Sequence, residues 1–319
     1  MDPSWVALEH HKRVLLEHSL APKSMTSYQV GIRQYLRFCS SFSIPPLPLS
    51  QLVVENFCTS LSRRVSHKTI KAYLAAVQFW SKVRGYSSLI RNMPRLPYVL
   101  LAIQRSQGRS FARPDRPPIT LPMLEAICAF AFRNESPFNR DMLIAAALLA
   151  FFGLLRVSEY TSASASSFDE SADLSARDVF IDWRRRVALV RIKKSKTDPF
   201  RSGVTIRVGI IDSHLCPVHA LARYLRRRGR APGPLFLFQS GAFLTRARVV
   251  DLLHRSLPEV PHVNTHSFRR GGASALAIAG TPAHVIQVLG RWRSDAFKAY
   301  VEFSDDFLVT TNRAMASGG

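Results

Sequence analysis

Helical spacing of apolar residues dominates the first third of the chain. From Ser24 to Cys39, Tyr28, Ile32, Tyr35 and Phe38 recur on one face and predict a helix. Ile44 to Leu49 contains three prolines and reads as a loop. Ser50 to Leu61 reads as a second helix. Ser66 caps a third, in which Ile70, Tyr73, Leu74, Val77 and Trp80 line the buried side and Arg84-Gly85 closes the end. Met1 to Leu20 is mostly polar and reads as a helical or frayed leader. Gln104 to Pro118 has no apolar period and carries Arg105, Arg109, Arg113 and Arg116 among prolines, so it reads as a basic linker.

Beyond the linker the pattern changes. Thr120-Leu121-Pro122 starts a helix over Met123 to Phe132, and Arg140 to Leu155 reads as a buried one. Asp178 to Trp183, Arg186 to Ile192 and Val204 to Ile210 alternate and are rich in Val and Ile, which predicts a three-stranded antiparallel sheet. Helices follow at Val218 to Arg227, Val249 to Leu257 and His266 to Ala279. A further helix opens at Thr281-Pro282, with Thr281 as cap, and stops at Gly290. Ser294 caps a last one, with Tyr300 in it or at its end. Phe303 to Met315 forms a tail. The expected fold is an all-α N-terminal domain over residues 1–110 and a mainly α, α+β domain with a small antiparallel sheet over residues 111–319.

Composition then narrows the partner. Of 319 residues, 44 are Lys or Arg and 22 are Asp or Glu, a net charge of +22. Such a charge on a chain that is 47% hydrophobic implies a folded protein with a polyanionic partner, nucleic acid before an anionic membrane surface. The longest apolar run, Met142 to Leu155, is short of the ~20 residues a span needs, and no N-terminal secretion signal is visible. The four cysteines lack CxxC spacing and read as reduced intracellular thiols. Cys216-Pro217-Val218-His219 has no second half-site, so it reads as a core cysteine at a helix start rather than a metal site.

The candidate chemistry lies in separated segments. His266 and Arg269 are three residues apart and share one face of a helix. Arg156 follows the buried helix, and Glu159, three residues on, shares a helical face with it and is placed to orient it. Arginine meets phosphate oxygens with a planar fork and stays charged at any working pH. Two such residues can clamp the charge of a phosphodiester in displacement. Tyr300 is the candidate nucleophile, and His266 a base able to take its proton. Tyr160 and Tyr224 are rival tyrosines. Arg63, Arg64, Lys68, Lys71, Arg105 and Arg270 are candidate DNA contacts. Arg184-Arg185-Arg186 and Arg226-Arg227-Arg228 read equally as phosphate contacts or as solubilising charge.

These segments together, "KKSKTDPF" from Lys193, "CPVHAL" from Cys216, "HSFRRGGAS" from His266 and "LGRWRSDAF" from Leu289 followed by Tyr300, resemble the tyrosine recombinase (integrase) family. The wording is most similar to recombinases of DIRS-like and crypton-type eukaryotic mobile elements. The resemblance implies a helical core-binding (SAM-like) domain and a catalytic domain that clamp duplex DNA. It implies cleavage and rejoining through a 3′-phosphotyrosyl bond, with Lys196 as general acid to the leaving 5′ oxygen. It further implies no cofactor, no metal and no ATP, a homo-tetramer on two DNA sites, and a nuclear location for a eukaryotic element, otherwise cytoplasm or nucleoid. One position departs: nine residues before Tyr300, where the family has His or Trp, stands Arg291, with Trp292 beside it. Either could be the third phosphate ligand. Three alternatives are a type IB topoisomerase, a domesticated DNA-binding protein without catalysis, and a basic membrane-surface or scaffold protein. Relaxation of single-site plasmid, set against recombination between two sites, separates the first.

Overall fold

The protein's structure is a computed structural model. It describes residues 3–87, 90–108, 110–111, 116–194, 202–294, 298, 309–310, 312–313 and 315–316. The expected final helix with Tyr300, the Lys196 turn and most of the tail therefore lie outside the described residues. The chain forms two compact units, Met1–Arg113 and Pro114–Gly319.

The first unit is helical: α1 Pro3–Glu17, α2 Pro22–Ser41, α3 Gln51–Leu61, α4 His67–Val83 and α5 Leu96–Gln107. Ser50 and Ser66 cap α3 and α4 by accepting the amides of Val53 (3.3 Å) and Thr69 (3.2 Å). Gly85, at φ 86°, ends the turn after α4 in the left-handed region. Tyr35, Phe57, Cys58, Ile70 and Val77 are fully or nearly fully buried and form the core. The Tyr35 and Phe57 rings meet edge to face at 5.2 Å.

One expectation is corrected here. The segment from Gln104 is not yet linker, because α5 runs to Gln107. Its last side chain is buried. Gln107 donates to the carbonyls of Ser62 (2.7 Å) and Val65 (2.8 Å) and accepts the His67 amide (2.7 Å). One amide thus satisfies backbone groups left open between α3 and α4, and that tertiary bond holds α5 in place. Arg105 sits exposed on this helix, and Arg63, Arg64, Lys68 and Lys71 are exposed as well.

The second unit is built on α7 Pro137–Phe152, which is buried almost continuously from Asp141 to Phe151. Around it pack α6 Leu121–Asn134, α9 Pro217–Arg228 and α11 Thr265–Ile278. α8 Val157–Tyr160 is a single turn. α10 Arg246–Ser256 and α12 Ala283–Leu289 complete the helices. Strands β1 Val179–Asp182, β2 Val187–Ile192 and β3 Val204–Gly209 form an antiparallel sheet in the order β1-β2-β3, with Val190 opposite both Val179 and Ile206. One face buries Val190, Ile192, Ile206 and Val208 in the core; the other leaves Phe180 exposed.

Three details differ from the pattern reading. α7 stops at Phe152, three residues before the expected end. Thr281 is not the cap of α12; Pro282 occupies that position, with no side-chain cap bond. Two arginines of the second basic triplet, Arg227 and Arg228, are structural. Asp141 is 1% exposed and accepts from Arg140 (3.2 Å), Arg223 (3.1 Å) and Arg227 (2.6 Å), which ties α7 to α9. Arg228 donates to the carbonyls of Ala231, Gly233, Pro234 and Leu235. Arg186 pairs with Asp212 at 2.9 Å. Cys216 is buried at the start of α9, as read from the sequence. Among the described residues no group of His, Cys, Asp or Glu is arranged to hold a metal ion, and no helix is long and apolar enough to cross a membrane.

Candidate active site

The site grows from the end of α7. A helix leaves its last carbonyls without intrahelical donors. Here Gly153 and Leu154 turn the chain sharply, Leu154 with φ 48°, a left-handed value rare for a branched residue. The Leu155 amide returns to the Ala150 carbonyl at 3.0 Å. The Gly153 and Leu154 carbonyls become acceptors for arginines from far along the chain.

Arg156 comes next, in extended conformation at the cap of α8. Glu159 does not share a helical face with it, contrary to the expectation from their spacing. Arg156 lies just outside the turn, and Glu159 reaches back to it. The Glu159 carboxylate accepts the Arg156 amide (2.9 Å) and its Nη1 (2.8 Å). Arg291, at the end of α12, adds Nη2 at 2.8 Å. Burial by itself would raise the Glu159 pKa, but Arg291 and Arg156 more than offset it and hold the carboxyl below its usual range.

α11 supplies the other half. Asn264 caps it by accepting the His266 amide at 2.9 Å, and Ser267 Oγ accepts the Asn264 amide at 3.1 Å. His266 is thereby placed in the first turn and Arg269 one turn on. Arg269 is 1% exposed. It donates to the Leu154 carbonyl at 2.5 Å and to the Gly290 carbonyl, and its guanidinium lies 4.2 Å from the centroid of the Trp292 ring. Gly271 and Gly272 let α11 approach closely. A Cβ on Gly271 would lie 2.0 Å from the Ile119 carbonyl oxygen, and one on Gly272 2.4 Å from that of Phe151.

His266 has its pKa lowered to about 4, first by burial and then by Arg269, Arg116, Arg270 and Arg156. A neutral imidazole thus faces a group of guanidiniums at neutral pH, and these surroundings make it a weaker base than a free imidazole. Arg116, which the sequence reading left in the linker, belongs to this electrostatic neighbourhood. The chain just after it runs beside α11, with the Ile119 amide donating to the Ser267 carbonyl at 3.0 Å. Its only sequence signal was its charge. Arg270, a candidate DNA contact, is 8% exposed.

The structure therefore brings together Arg156, Glu159, His266, Arg269, Arg291 and Trp292, while Lys196 and Tyr300 fall outside the described residues. Two rivals weaken. Tyr160 is buried and its phenol pKa is raised by burial. Tyr224 is also buried, donates to the Leu235 carbonyl at 3.0 Å, and has its phenol pushed up to about 12, chiefly by burial. Lys193 pairs with Asp178 at 2.8 Å, which leaves it committed away from the role expected of Lys196.

No protein-family model and no curated protein sequence matches the chain. Solved structures do. The integrase of transposon Tn1549, in complex with transposon right end DNA, is similar over 91% of this chain and 93% of its own, with a TM-score of 0.59 at 16% identity. The site-specific recombinase XerH, in a post-cleavage complex with a palindromic difH substrate, is similar over 92% of this chain and 78% of its own, with a TM-score of 0.62 at 14% identity. Lambda integrase, as a dimer bound to a COC′ core site, is similar over 92% of this chain and 76% of its own, with a TM-score of 0.59 at 14% identity. Helices around a three-stranded antiparallel sheet, preceded by a small helical unit, thus form in this chain the fold of the tyrosine recombinases.

Proposed function

We propose that the protein is a site-specific DNA recombinase or integrase that cleaves and rejoins duplex DNA through a 3′-phosphotyrosyl intermediate. The observation that carries this reading is the convergence of Arg156, His266 and Arg269 about one turn, with the Leu154 carbonyl anchoring Arg269 and Glu159 holding Arg156.

In the cleavage step the Tyr300 oxygen attacks phosphorus and the bond to the 5′ oxygen breaks. The phenol proton passes to His266, and Lys196 gives a proton to the leaving 5′ oxygen, which becomes the free 5′ hydroxyl. A free phenol has a pKa of about 10, so an adjacent base is required. Arg156 and Arg269 bind the non-bridging oxygens as charge develops. The ester keeps the bond energy, and a second 5′ hydroxyl reverses the step, so neither ATP nor a divalent ion is needed. Phosphate contacts from Arg63, Arg64, Lys68, Lys71 and Arg105 add affinity that falls with salt. The working assembly is a tetramer on two sites. The wording of the motifs favours a DIRS-like or crypton-type element acting in the nucleus.

A duplex nicked near the cleavage site releases a short strand and traps the covalent protein–DNA adduct. The adduct forms with wild type in EDTA without ATP and is absent with Tyr300→Phe. An adduct that persists in Tyr300→Phe names another nucleophile, and a requirement for magnesium overturns the metal-free step.

A further inference from the structure

Within that reading, we propose that Arg291 is a positioning residue: it holds Glu159, and through it Arg156, and does not itself bind the scissile phosphate. Its place in the sequence suggests a phosphate ligand, but its surroundings assign the guanidinium elsewhere. Nη2 donates to Glu159 Oε2 at 2.8 Å and to the Leu154 carbonyl at 3.2 Å. Nη1 donates to the carbonyls of Gly153 at 3.3 Å and Leu289 at 3.4 Å. Nε is buried without a hydrogen-bond partner. The side chain is 12% exposed, and the backbone holds φ 57°.

Turning this guanidinium outward removes one of the two arginines that keep buried Glu159 ionised. It also strips donors from the turn that anchors Arg269. A buried carboxylate that loses a partner is strongly destabilised. Trp292 lays its ring against the Arg269 guanidinium. The two residues at this departure from the family pattern thus divide one task. Arg291 orients Arg156 by way of Glu159, and Trp292 backs Arg269.

The test compares single-turnover adduct formation on a nicked duplex with an ordinary phosphodiester, or a neutral methylphosphonate, at the scissile position. Removing the phosphate charge lessens the need for Arg156 and Arg269 and, with them, for a residue that positions them, so the deciding comparison is between combined variants. Arg291→Ala is expected to slow cleavage on the order of 10²-fold, and on the neutral substrate its defect shrinks only as far as that of Arg156→Ala does. The defect of Arg269→Ala is expected to shrink on the neutral one. Arg291→Ala combined with Glu159→Gln should be no slower than the worse single variant. Arg291→Gln, which keeps one amide donor, is measured alongside, and thermal unfolding and DNA binding of each variant verify folding. If the alanine variant does not fold, the glutamine variant carries the comparison. A combined Arg291→Ala and Glu159→Gln variant slowed by the product of the two single factors overturns the proposal and makes Arg291 an independent phosphate ligand. Absence of any adduct with wild type overturns the recombinase reading itself and this inference with it.

Discussion

Gly272→Ala sets two effects of opposite sign against each other. In a helix interior, alanine is favoured over glycine by roughly 1 kcal/mol. The added Cβ, however, would lie 2.4 Å from the Phe151 carbonyl oxygen and 2.5 Å from Leu154 Cδ2, where ordinary contact begins at 3.4 Å. Relief requires a movement of about 1 Å. One of the two neighbours is backbone at the end of α7 and cannot rotate away. Overpacking costs roughly 1–3 kcal/mol and sits at the upper end when backbone must move, so the net effect is a loss of about 2 kcal/mol. For a unit of this size that lowers Tm by about 4–8 °C. The same movement pulls Arg269 from the Leu154 carbonyl, and a misplacement of about 1 Å slows cleavage on the order of 10²-fold. Calorimetry and adduct formation on the nicked duplex measure the two. Gly209→Ala, which meets nothing within 4 Å, is the control and stays within about 0.5 kcal/mol of wild type. A Gly272→Ala protein with unchanged or raised Tm and normal cleavage would refute the close approach of α11 to α7.

Two further outcomes are expected. His266 has its pKa lowered from 6.5 to about 4, so between these values the unfolded chain binds a proton that the folded one does not. Above pH 6.5 the ring is neutral in both states and costs nothing; as pH falls toward 4 the folded protein opposes its protonation and stability drops. His266→Gln should flatten that part of the pH profile of urea midpoints, and an unchanged slope would assign it to other groups. Gln107→Ala leaves the Ser62 and Val65 carbonyls and the His67 amide without this partner. It should cost about 1–3 kcal/mol, read as a lower urea midpoint of the intact protein. An unshifted midpoint would mean that water replaces the amide without loss.

Local physics made much of this chain legible. Ser50, Ser66 and Thr120 stand at helix starts because a short side-chain oxygen accepts an open amide there. The three strands follow from alternation, and their faces from its period of two. The spacing of His266 and Arg269 already placed both on one helix face. What the pattern could not contain were bonds between distant positions. Glu159 and Arg291 are 132 residues apart, so neither the inward turn of Arg291 nor its contact with a buried carboxylate has a local signal. The same holds for Arg227 and Asp141, 86 apart, where a charge that reads as surface became the tie between two helices. Hydrogen-bond donors left by one element were matched to acceptors left by another only when the chain closed on itself. That matching decided which arginines hold the turn and which of them face His266.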